Sequence, residues 1–152
     1  MRRLTLILQG ITILLLFLWI PVSINKVLAF DTFSLSISRQ PIPPFTSKIA
    51  IYTIPILEIL TCLLLITSKY RLWGFILSTL LMGIFSGYIA LALLDTWKNL
   101  PCACGLIIFN LGWTEHLLFN LVFLIISLLG LILQLKLLKK RKTPSYNKTT
   151  YN

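Results

Sequence analysis

Charge is scarce in this sequence. Charged residues make up 12% of it, about half of the ~25% usual in soluble domains. The polar surface that a water-soluble globule needs is therefore missing, and with hydrophobic residues at 57% lipid must take its place. Acidic residues are the rarer charge, 4 against 14 Lys and Arg. Cysteine occurs 3 times, an odd count that excludes a scaffold stapled wholly by disulfides and fits one pair plus a single buried thiol. Histidine occurs once, as His116. A structural zinc site usually takes four protein ligands, and His116 is the only obvious third ligand for a cysteine pair, so no metal is expected. Nucleic acid is not expected either. The net charge of +10 lacks the interleaved aromatic residues that accompany a nucleic-acid surface. At 152 residues the chain allows one compact domain and not two.

What the chain does have is four long apolar runs, each close to the ~20 helical residues that cross a bilayer core. The first covers about 4–24 and follows Arg2-Arg3. A cleaved signal peptide is the rival, with Val27-Leu28-Ala29 as the cut. The run is longer than the ~7–15 residues of a signal core, so a retained helix is expected. The second run, about 49–68, holds Pro55 and Glu58. The short connector Lys69-Tyr70-Arg71 makes the third run, about 72–94, an antiparallel neighbour of the second. The third carries Gly83-x-x-x-Gly87 beside Ser86-x-x-x-Ala90, small residues at the spacing that lets helix backbones approach in lipid. That motif marks a packing face and no more. The fourth run, about 114–135, has Thr114 as a candidate N-cap.

Asn25 to Lys48 cannot span. Its Ala29, Phe30, Phe33 and Ile37 fall on one side of a helix, as in a short helix lying in the membrane interface. The alternation from Phe33 to Ser38 fits a strand instead, but a lone strand at a membrane has no backbone partner, so the helix is preferred. Pro41, Pro43 and Pro44 forbid helix and mark an extended link. The expected fold is all-α: an integral membrane four-helix bundle over residues 1–138, with a short interfacial helix in the first extracytoplasmic loop. Residues 139–152 are expected to form a basic, disordered cytoplasmic tail.

Orientation follows from Lys and Arg. Lys136, Lys139, Lys140, Arg141, Lys142 and Lys148 crowd the last stretch. With Arg2, Arg3, Lys69 and Arg71 they fall on one side of a four-span arrangement, while Lys26, Arg39, Lys48 and Lys98 fall on the other. The larger set marks the cytoplasmic side, which puts both termini in the cytoplasm, in a bacterial inner membrane. Trp19, Trp73, Trp97 and Trp113 each lie near an expected helix end, where the interface favours an amphipathic ring. The break between the third and fourth runs then faces the periplasm, where disulfides persist.

That break contains Pro101-Cys102-Ala103-Cys104-Gly105. A disulfide between Cys102 and Cys104 closes a very small ring. Bridged cysteines usually hold their Cα atoms about 4.4–6.8 Å apart with a restricted torsion, which one intervening residue allows only with strain. Strain makes a disulfide a labile oxidant and not a staple, and so short a loop adds little stability. Thiol exchange is the preferred role; two unreactive thiols or part of a soft-metal site remain open. His116, on the same side, supports thiolate formation if its imidazolium or its helix N-terminus is close; hydrogen-bonding a loop carbonyl is the alternative. Glu115 beside it opposes thiolate formation. Glu58 sits mid-span, where an acid costs about 2.5–3.5 kcal/mol to insert, so it is expected to face protein and have a partner, as a relay for protons or a quinone or as a hydrogen-bond anchor. Cys62 lies one turn on, on the same face, and is expected to be a small core residue.

Pro101-Cys102-Ala103-Cys104-Gly105, then Trp113-Thr114-Glu115-His116, then Phe119-Asn120 together resemble the MauE/DoxX family of redox-associated membrane proteins. Lys26 with Phe30, and Pro55 with Glu58, sit where that family has similar residues in its first loop and second helix. The resemblance covers about residues 1–138. Many relatives have a Phe between the second Cys and the Gly, and this chain does not. The resemblance implies a four-helix membrane bundle with a part in thiol–disulfide or electron transfer, as proposed for the methylamine-utilisation member. It does not carry methylamine over as a substrate. The resulting expectation is a component of thiol–disulfide exchange, with Cys102 and Cys104 as the reacting pair and His116 and Glu58 in support. A thioredoxin-like extracytoplasmic protein is the expected partner, and a quinone the one cofactor left open. A non-enzymatic assembly subunit and a small transporter are the alternatives.

Overall fold

The computed structural model describes residues 2–40, 42–94 and 112–142. Within them the chain forms five helices and no strand: α1 (Arg2–Leu28), α2 (Phe30–Ser38), α3 (Pro44–Ile66), α4 (Arg71–Leu93) and α5 (Trp113–Lys142). All but α2 are long and apolar enough to cross a membrane. The all-α bundle and the short helix after the first span match expectation. Four boundaries moved, each for a physical reason.

α1 runs through Pro21 to Leu28. Proline removes one backbone donor, which a membrane helix tolerates where neighbouring helices and side chains re-satisfy the freed carbonyl. Pro44 opens α3, following Pro43 in an extended conformation (φ −52°, ψ 140°). The first helical position needs no N–H, and proline presets its φ, so Pro44 starts the helix it was expected to forbid. α5 begins one residue before Thr114. Its first backbone bond runs from His116 N–H to the Gly112 carbonyl (3.0 Å), so Gly112 and not Thr114 holds the capping position. α5 also continues unbroken through Lys142, past both the expected span end and the expected start of the tail; residues 143–152 lie outside the described residues.

The four long helices form a ring: α1 packs on α3 and α5, and α4 packs on α3 and α5. Side-chain contacts fix their directions. Thr79 and Ser127 hydroxyls meet at 3.0 Å and Phe75 abuts Gly130, an antiparallel register between α4 and α5. Trp19 bonds Ser78 (2.9 Å), and seven residues on in each helix Lys26 lies against the Phe85 ring, so α1 and α4 run parallel across the diagonal. The start of α1 and the end of α5 therefore share one end of the bundle. α2 docks at the other, burying Phe33 and Ile37, one turn apart, against Ile51 of α3.

The core is built from Leu8, Leu15 and Trp19 of α1, Leu65 of α3, and Phe75 and Met82 of α4. Cleavage after Ala29 would remove Leu15 and Trp19 from it. The outer faces stay apolar, Phe17 for example being 80% exposed, as a lipid-facing surface requires. Trp19, expected at the interface, is 1% exposed. Because α1 continues for nine more residues, this indole lies mid-helix, and its N–H needs the buried partner that Ser78 supplies. The close helix approaches also fall elsewhere than the Gly83/Gly87 motif. A Cβ on Gly74 would meet the Leu65 backbone nitrogen at 2.8 Å, and one on Gly130 would enter the Phe75 ring, whereas nothing among the described residues lies within 4 Å at Gly83 or Gly87.

Candidate functional site

At the α2 end, one side chain joins four of the five helices. Lys26, in the last turn of α1, is 5% exposed and pairs with Glu58 of α3, whose Oε1 accepts from Lys26 Nζ. The ammonium also lies 5.5 Å from the ring centre of Phe33 in α2 and 5.3 Å from that of Phe85 in α4. Such cation–π contacts strengthen when desolvated. In α5, His116 is buried at the same end of the bundle. In a low-dielectric interior neither member of such a pair is tolerable without the other.

Local sequence explains how the pair forms. Continuation of α1 past Pro21 carries Lys26 inward instead of into a loop. Pro55 and Glu58 both face the interior, three residues apart on α3. Cys62, one turn further, is buried, and on α1 the Ser23 hydroxyl donates to the Ile20 carbonyl (3.0 Å). The Glu58 Oε2 atom and the Ser86 hydroxyl are buried without a hydrogen-bond partner among the described residues. Continuing the α4–α5 register upward brings Ser86 level with Asn120, itself buried one turn after His116. Gln40 and Tyr88 close the same end, the phenol donating to the amide oxygen, while Gln40 Nε2 donates to the Ser36 carbonyl (3.1 Å). Glu115 is exposed and folds back beside Gly112, where an acid complements a helix N-terminus.

Of the expected site residues, Glu58 pairs with Lys26, and His116 is buried at the same end of the bundle. Cys102 and Cys104 lie outside the described residues. The residues on either side of their segment, Leu94 and Gly112, both belong to the α2 end. Lys26 was counted among loop cations in the sequence; the signal for its true place was a lone base and a lone acid, each in or beside an apolar run, which lipid forces to pair. Chemically, the pair keeps a carboxylate and an ammonium in the bundle interior with one carboxylate oxygen still able to accept a hydrogen bond.

The family model for methylamine utilisation protein MauE matches residues 3–133, a range that takes in Lys26, Glu58, Cys102, Cys104 and His116. No match was found among curated proteins, and none among solved structures. The match spans most of the chain, and the helices it covers are those that form the bundle around Lys26: the chain belongs to the MauE family of membrane proteins.

Proposed function

We propose that this protein is a membrane component of thiol–disulfide exchange, with Cys102 and Cys104 as the exchanging pair. The observation that carries this reading is the Pro101-Cys102-Ala103-Cys104-Gly105 sequence, set between α4 and α5 of a MauE-family bundle. In support, Leu94 and Gly112 bound that segment at the end where His116 and the Lys26–Glu58 pair are buried. In this proposal the membrane is a bacterial inner membrane, both termini are cytoplasmic, and the α2 end faces the periplasm, where a thioredoxin-like protein is the partner.

A thiolate of the pair attacks the partner's disulfide, a mixed disulfide forms, and one partner thiolate leaves. The second cysteine attacks the mixed disulfide, leaving the pair oxidised and the partner a dithiol. The same steps in reverse oxidise the partner. A membrane quinone is the acceptor that would return the dithiol to the disulfide without a second protein, taking two electrons and two protons. Single Cys102→Ser and Cys104→Ser variants are expected to trap a mixed disulfide on non-reducing gels, absent from the double variant. No adduct and an unchanged partner redox state in both single variants would overturn the proposal. Full function in the double variant would leave a non-enzymatic assembly subunit.

The buried Lys26–Glu58 pair favours a second reading, a small transporter, because intramembrane ionisable groups commonly line pathways. Loss of solute uptake in Glu58→Gln, with uptake kept in the double cysteine variant, would decide for it.

A further inference from the structure

The opposite end of the bundle is basic throughout. All four acids of the chain, Asp31, Glu58, Asp95 and Glu115, belong to other parts of the sequence. Arg2 and Arg3 are exposed at the start of α1. Lys69 is exposed in the turn before α4, its ammonium 5.2 Å from the ring centre of Tyr70. Arg71 opens α4 and fastens that turn, donating to the Leu65 carbonyl (3.2 Å) and reaching the Ser68 hydroxyl. The antiparallel register set by Thr79–Ser127 and Phe75–Gly130 places Arg71 level with about Gln134 and Leu135. From Lys136 onward α5 therefore stands past the start of α4, by roughly 10 Å at 1.5 Å per residue. Lys136, Lys139 and Lys140 are exposed on that projecting turn, at spacings that put them on one helix face.

The full α5, 30 residues, is about 45 Å long against a hydrocarbon core of about 30 Å. A projecting basic turn above a ring of arginines and a lysine, bordering apolar helix faces, matches a phosphodiester headgroup whose acyl chains run along those faces. We propose that this basic collar is a binding surface for anionic phospholipid, with Lys136, Lys139 and Lys140 as its outer grip and Lys69 as its inner one. Free phosphate lacks the acyl chains, and the apolar flanks of α4 and α5 give a lipid the second half of its site. This proposal is independent of the cysteine chemistry.

Trp73 is a built-in reporter, exposed in the first turn of α4, next to Arg71, while Trp19 is buried. The protein with Trp97→Phe and Trp113→Phe is reconstituted in phosphatidylcholine, and Trp73 fluorescence is quenched with chain-brominated phosphatidylglycerol or brominated phosphatidylcholine. Brominated phosphatidylglycerol is expected to quench more at equal fraction, and less so in high salt. Each lysine replaced by Gln among Lys136, Lys139 and Lys140 should lower that preference by up to about fivefold. The triple Lys→Arg variant should keep it, and Lys48→Gln, at the other end, should leave it unchanged. Equal quenching by the two lipids in the unaltered collar, or a preference that survives the triple Gln variant, overturns the proposal. So does displacement of phosphatidylglycerol by transfer RNA in preference to inorganic phosphate at matched ionic strength, which would make the collar a nucleic-acid surface.

Discussion

The two ends of the bundle use the same cation in opposite ways. At the α2 end Lys26 is buried, shared between a carboxylate and two aromatic rings, and linked to three other helices. At the collar, Lys69 and Lys136 sit on the surface, and the helices are held by close contact at Gly74 and Gly130. Burial decides the difference. A charge in a low-dielectric interior fixes its partners and makes the surrounding fold depend on it, whereas a surface charge is screened and contributes little to stability.

The largest expected effect is at the buried pair. Lys26→Met or Glu58→Leu alone should destabilise the protein by about 3–5 kcal/mol, because each leaves the other charge buried and unpaired. The double variant should recover most of that loss. Unfolding in mixed micelles would measure both. Mild single variants, no worse than a collar lysine replaced by Gln, would erase the contrast between the ends.

That pair also shows how much was legible in the sequence. Glu58 could be read as a buried acid because an acid deep in an apolar run has nowhere else to go. Its partner could not be found as readily, because Pro21 gave Lys26 the look of a loop residue. Pro44 misled in the same way: as a chain-breaking residue it marks a boundary but not the side on which the helix lies. The four spans were visible because hydropathy is a one-dimensional property. Trp19 and Gly74 were not, because an indole partner and a helix crossing depend on which helices become neighbours. Gly83-x-x-x-Gly87 had the spacing of a packing face, yet a spacing cannot tell which neighbour, if any, lies opposite. Cys102 and Cys104 lie outside the described residues, and their reading as a pair rests on the one-residue spacing alone.

Next in size are the helix crossings. Gly74→Ala should cost about 1–3 kcal/mol, since the added methyl meets backbone that cannot step aside. Gly83→Ala should fall within about 0.5 kcal/mol of the parent; an equal loss at both would show that Gly83 is packed after all. Trp19→Phe, which removes the bond to Ser78 and leaves its buried hydroxyl without that partner, should cost about 1–3 kcal/mol. At the small end, Tyr88→Phe should cost about 1 kcal/mol, seen as faster amide exchange in α2 with the rest of the bundle unchanged. Lys136→Gln should shift unfolding by no more than about 0.5 kcal/mol, which would sharpen the comparison, because its effect belongs to lipid preference and not to the fold.

The most direct test of the proposed exchange is differential alkylation of Cys102 and Cys104 in intact cells with a membrane-impermeant reagent, before and after mild reduction. Labelling of both cysteines only after reduction is the expected result, with Cys62 protected throughout by burial. Labelling that appears only once the membrane is dissolved would contradict an accessible exchanging pair at the α2 end.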